Sequence, residues 1–165
     1  MTEIDLTAWG NFFFAGAGAA ATLAGLLFVA MSINLSRIIS FPSLSVRAAE
    51  TMIGLGGTLA ISMLALVPHQ TCRVFGARVL VLGTATWVVP FGMQLRALAR
   101  RLYVRKSHIL LRMVIHQGAT LPLVAGGVWL VRTDQSGLYL LVPGVITAML
   151  SALMNAWVLL IEILR

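Results

Sequence analysis

Few side chains in this sequence are equipped for chemistry, and they fall in a pattern. Glu50 is the one acid set well inside a long apolar segment rather than at its edge. Arg112 and His116 are four residues apart, so on a helix they share a face, which Thr120 and Gly127 extend. Asn34, Gln94 and Asn155 add three amides. Such a set can pair ions, relay a proton or guide a polar solute. It matches no catalytic arrangement: there is no His-Glu-x-x-His, no Gly-x-Ser-x-Gly, no Gly-x-x-x-x-Gly-Lys loop and no pair of membrane aspartates. No enzyme activity and no cofactor are therefore expected. For His116 an interhelical hydrogen bond, to Asn155, is favoured over a proton relay or metal binding. No metal site is expected, since His69 and His108 fall at opposite membrane faces and Cys72 is alone.

Composition says what kind of scaffold must hold these groups. Of 165 residues 59% are hydrophobic and only 10% charged, with a mean hydropathy of +0.96, which no ordinary water-soluble domain shows. Twelve basic against five acidic residues give a net charge of +7, but nucleic-acid binding needs those charges on a soluble surface that this chain hardly has. Disorder, a disulfide scaffold and a nucleotide-binding α/β enzyme are excluded by the same figures.

Because a charge at the bilayer centre costs about 2.5 to 3.5 kcal/mol even on lenient scales, charge-free stretches mark the spans. Five run from Leu6 to Ser36, Thr51 to Cys72, Val79 to Leu95, Met113 to Val131 and Gln135 to Ile161. A spanning helix needs about 17 to 25 residues, so helices are placed near 9–35, 48–68, 77–96, 109–131 and 138–162, the third being the shortest. None of the stretches alternates in polarity as a barrel strand would. The expected fold is all-α: one polytopic transmembrane bundle of five spans over 1–165, bent at Pro90, Pro122 and Pro143. Glu3 and Asp5, in place of Lys or Arg, argue against a cleaved signal peptide ahead of the first span.

With five spans the loops alternate, placing nine basic residues on one side and Arg73, Arg78 and Arg132 on the other. The positive-inside rule then sets the N-terminus outside and the C-terminus inside. Arg100, Arg101, Arg105 and Lys106 fall in one loop and are candidates for lipid headgroup contacts at about 1 kcal/mol each, although topology alone accounts for them. Trp9 and Phe12 to Phe14 read as an anchor at the outer interface.

Given this orientation, Asn34, Glu50, Gln94 and Arg112 lie within about a turn of the inner interface, and His116 and Asn155 about 10 Å deep at 1.5 Å per residue. Glu50 and Arg112 at matched depth are predicted to pair. Small residues provide candidate packing faces: Asn11, Gly18, Gly25 and Ser32 recur every seven residues, and Gly54 and Gly57 follow on the next helix. Packing within the bundle is the default for each stripe, with a neighbouring subunit or enclosed water as alternatives. Five thin helices leave little room for a private pathway, so a channel or transport-like route with a polar cytoplasmic mouth implies a homo-oligomer around an axis.

Trp9 with Phe12-Phe13-Phe14, then the run Ala20-Ala21-Thr22-Leu23-Ala24-Gly25-Leu26-Leu27-Phe28-Val29-Ala30-Met31-Ser32-Ile33-Asn34-Leu35, and Arg47-Ala48-Ala49-Glu50 resemble a family of small uncharacterised bacterial integral membrane proteins. Some of its members are labelled "modulator of FtsH protease". The resemblance covers roughly the first 70 residues, through Pro68-His69-Gln70. It implies a bacterial plasma (inner) membrane, carries over no catalytic residue, and directs attention to Asn34, Arg47 and Glu50. The label also implies an alternative role, as a regulatory or scaffold subunit for a membrane protein partner such as a membrane-anchored protease.

Overall fold

The computed structural model describes residues 7–100, 106–132 and 135–160, with only the backbone of 7, 106–109 and 160. A 3-10 turn, Thr7–Trp9, leads into α1 (Gly10–Ile33). There follow α2 (Leu35–Ser40), α3 (Pro42–Ala65), α4 (Cys72–Ala99), α5 (Lys106–Val131) and α6 (Gly137–Leu160). No strand occurs among the described residues. Five of the helices are long and apolar enough to cross a bilayer. The chain is a multi-pass membrane protein.

The helix ends follow from local chemistry. The residue before a proline is driven out of the helical region, so α2 stops at an extended Phe41 and Pro42, needing no N–H donor, opens α3. α3 therefore begins six residues ahead of the expected 48, and a separate short helix precedes it. Between α3 and α4 the side chain of Gln70 turns back to donate to the carbonyls of Leu64 (2.7 Å) and Val67 (3.1 Å), serving groups that the helix end leaves open. Thr71 caps α4 by accepting from the Val74 N–H at 3.3 Å. With 28 residues α4 is the longest helix, not the shortest. Arg73 and Arg78 lie in its first turns on the exposed face, where a charge does not end a helix, so a charge-free count cuts the element short.

Helices α3, α4, α5 and α6 form a ring by packing in sequence, with α6 returning to α3, while α1 lies outside it against α3 and α6. Glycines decide how tightly the ring closes. A methyl group on Gly76 of α4 would lie 2.5 Å from the Val131 backbone nitrogen of α5, and one on Gly127 would lie 2.8 Å from that of Leu80. Gly126, Gly137 and Gly144 bring α5 and α6 together in the same way. The contacts of Gly76, Gly126, Gly127 and Gly137 lie toward the end of the bundle that carries Arg73, Arg78 and Arg132, whereas Gly144 meets Ala119 and Leu123 nearer the middle. Along these contacts the core is apolar, built around Phe13, Phe75, Leu130, Leu138 and Leu141. Phe13 is thus a core residue rather than an interfacial anchor, and only Phe14 of that trio is exposed. Trp9 meets Tyr139 of α6 edge to face at 4.8 Å between ring centres.

The expected small-residue face of α1 does not pack within the bundle. Gly18, Gly25 and Ser32 are exposed, and nothing lies within 4 Å of a methyl group built on either glycine. The face that α1 buries is the one carrying Phe13, Gly16, Ala20, Leu27 and Ala30. The reason is size: Phe13 and Leu27 bury more apolar surface than glycine, and they turn the heptad stripe outward.

Candidate functional site

Toward the other end of the ring the four helices line a half-open chamber of about 520 Å³. It runs from Ser43 at the start of α3 down to Thr58 and Leu123. Leu123 also belongs to the apolar core, which forms the floor. Leu111 of α5 and Met154 of α6, both exposed, stand in the rim.

Each wall contributes a polar group. Glu50 of α3 and Arg112 of α5 form the predicted ion pair across the chamber, joining Arg112 Nη2 to Glu50 Oε2, with the side chains only 8% and 15% exposed. Gln94, which is buried on α4, donates from Nε2 to the same Glu50 oxygen at 3.4 Å. Two helices thus converge on one carboxylate oxygen. On the α6 side Asn155 accepts from Arg47 Nε at 2.7 Å and donates to Thr51 Oγ1 at 2.8 Å, and Thr51 in turn donates to the Arg47 carbonyl at 2.8 Å. Arg47 reaches Asn155 because α3 starts at Pro42 and carries it well inside the helix.

The expected His116–Asn155 bond is absent. His116 Nε2 lies 3.2 Å from the Trp87 carbonyl oxygen, an acceptor, so this nitrogen carries the hydrogen. Beside it Gln117 Oε1 accepts from Trp87 Nε1 at 2.8 Å. These bonds fasten α5 to α4, whereas Asn155 serves α3: the two residues share a depth but face different neighbours. Asn34, predicted in the polar layer, lies outside the chamber. Its Nδ2 donates to the Leu159 carbonyl at 3.0 Å and to that of Ala30 at 3.3 Å, tying the end of α1 to the end of α6.

Of the packing candidates on α3, Gly57 lies against Thr86 of α4, while Gly54 lines the chamber with open space before it. Arg100 is exposed at the end of α4, Lys106 opens α5, and Arg101 and Arg105 lie outside the described residues. Among the described residues no group of three or more His, Cys, Asp or Glu side chains is placed to hold a metal.

Sequence reasoning missed Thr51, Trp87 and Gln117. Thr51 stands four residues after Arg47 and seven before Thr58, a one-face spacing that could have found it. Trp87 enters largely through its carbonyl, which no side-chain pattern reveals.

The chamber is lined by polar and apolar side chains together. Its lining carries two arginines and one glutamate, an excess of one positive charge if His116 is neutral. No protein-family model, curated protein or solved structure matches the chain.

Proposed function

We propose that this is a non-enzymatic membrane protein whose chamber is the binding vestibule of a transport-like pathway for small polar solutes or ions, with its mouth at the basic end. One observation carries the reading: side chains from four helices line a half-open space that is polar toward one end of the bundle and ends on an apolar floor. Polar groups within a bilayer face a bundle interior or a watery cavity because lipid gives them no partners. The apolar floor closes the route within one chain, so passage requires the glycine-packed half to open. The charge asymmetry supports a cytoplasmic mouth, and the resemblance of the first helices supports a bacterial plasma membrane. Room for a solute exists inside a single chain, so an oligomeric axis is not needed to create it. Purified protein in liposomes tests the proposal. Solute or ion flux above that of empty liposomes is expected, with its preference changed by Arg112→Ala; no flux across a range of pH and salts overturns it.

A second reading is favoured by the outward Gly18–Gly25–Ser32 face of α1. Small residues let helices approach closely in lipid. On this reading the protein self-associates, or serves another membrane complex as a scaffold subunit. Purification in mild detergent separates the two: a homo-oligomer that Gly25→Leu dissociates supports self-association, and a stoichiometric foreign subunit supports the scaffold.

A further inference from the structure

Two oxygens in the chamber wall have no partner. Glu50 Oε1 and Gln94 Oε1 are both buried from solvent, and neither accepts a hydrogen bond. Their side chains already touch, because Gln94 Nε2 donates to the other Glu50 oxygen at 3.4 Å. Reversing the Gln94 amide only moves the fault: it would turn nitrogen toward Glu50 Oε1 but set oxygen against Glu50 Oε2 and remove the existing bond. A buried acceptor left open costs about 1 to 3 kcal/mol, and more when charged. A donor is missing, and the oxygens are too enclosed for a water-sized molecule to reach without displacing side chains. A proton requires no such space.

We infer that Glu50 and Gln94 form a proton-binding site in the chamber wall, in which one proton on Glu50 Oε1 is donated to Gln94 Oε1. When the two side chains swing apart, the carboxylate takes up a proton from water entering the chamber and becomes a neutral acid; on release the proton returns to that water and the carboxylate is restored. One hydrogen satisfies both open oxygens and closes an acid–amide pair with two hydrogen bonds. Arg47 of α3, Gln94 of α4, Arg112 and His116 of α5, and Asn155 of α6 are the charged, titratable and amide groups lining the chamber around it. Proton uptake changes the Arg112 contact from an ion pair to a hydrogen bond onto a neutral acid, and charge-assisted bonds are roughly twice as strong as neutral ones. The tie between α3 and α5 therefore loosens when the proton arrives. The site deepens the vestibule reading and rests on it for coupling a proton to solute movement.

Infrared difference spectroscopy of the protein in lipid, recorded over pH steps without solute, tests the site itself. A protonated-carboxyl stretch that appears and disappears with pH and is absent in Glu50→Gln is expected. In Gln94→Leu the stretch should move to higher frequency, because the acid has lost its acceptor. No carboxyl stretch attributable to Glu50 at any pH at which the protein stays folded overturns the site, and a stretch unmoved in Gln94→Leu overturns the shared proton. Should Glu50→Gln fail to fold, the Gln94→Leu shift and its absence still decide. The spectrum involves no transport, so flux with no Glu50 stretch would sink this site and leave the vestibule standing, and the reverse result would do the opposite.

Discussion

Glu50 and Arg112 hold each other across the chamber, and breaking a buried pair by removing one member leaves an uncompensated charge at a cost of about 3 to 5 kcal/mol. Arg112→Leu should therefore lower stability by that order, measured by thermal unfolding in detergent. The double variant Arg112→Leu with Glu50→Leu should lose less than the two single losses together, since no lone charge remains. A double loss equal to the sum would show that the two groups are energetically independent. This pair was legible because matched depth on two segments is visible in a sequence. The partner of His116 was not, because depth says nothing about the direction in which a helix turns a side chain. Arg47 was counted with the loop charges for a related reason: the expected helix began one residue after it, and Pro42 moves that boundary.

At the scale of helices, glycine has two opposite uses in this chain. Gly127 allows α5 to meet the Leu80 backbone of α4, whereas Gly25 faces outward with open space before it. Gly127→Leu should cost at least about 1 to 3 kcal/mol through overpacking, and Gly25→Leu should stay within about 0.5 kcal/mol in monomeric, detergent-solubilised protein. Unfolding midpoints for the two variants check this, and equal losses would contradict the packing described. The number of spans and their helical type were readable from charge-free length alone. Which glycines pack was not: the heptad on α1 looked like a contact face, but Phe13 and Leu27 on the neighbouring face won the core. The seven-residue spacing marks a face turned away from the bundle, which leaves a neighbouring subunit among the alternatives.

For the whole molecule, the proposed mouth at the basic end makes access one-sided. With Cys72 replaced by Ala, Ser43→Cys and Ser151→Cys line the chamber and should react with a membrane-impermeant maleimide from the basic side only. Ser62→Cys, fully buried, should react from neither. If the basic end is cytoplasmic, labelling appears in inverted vesicles and not in intact cells; the opposite result would reverse the orientation. That polar groups gather toward one face was legible in the sequence. That four helices of one chain gather them around a single chamber was not, because depth along a segment does not tell which neighbour a side chain faces.

Gly76 and Gly127 leave α4 and α5 no slack where they touch. Parting them there means separating two backbones outright, which no swing of a side chain accomplishes.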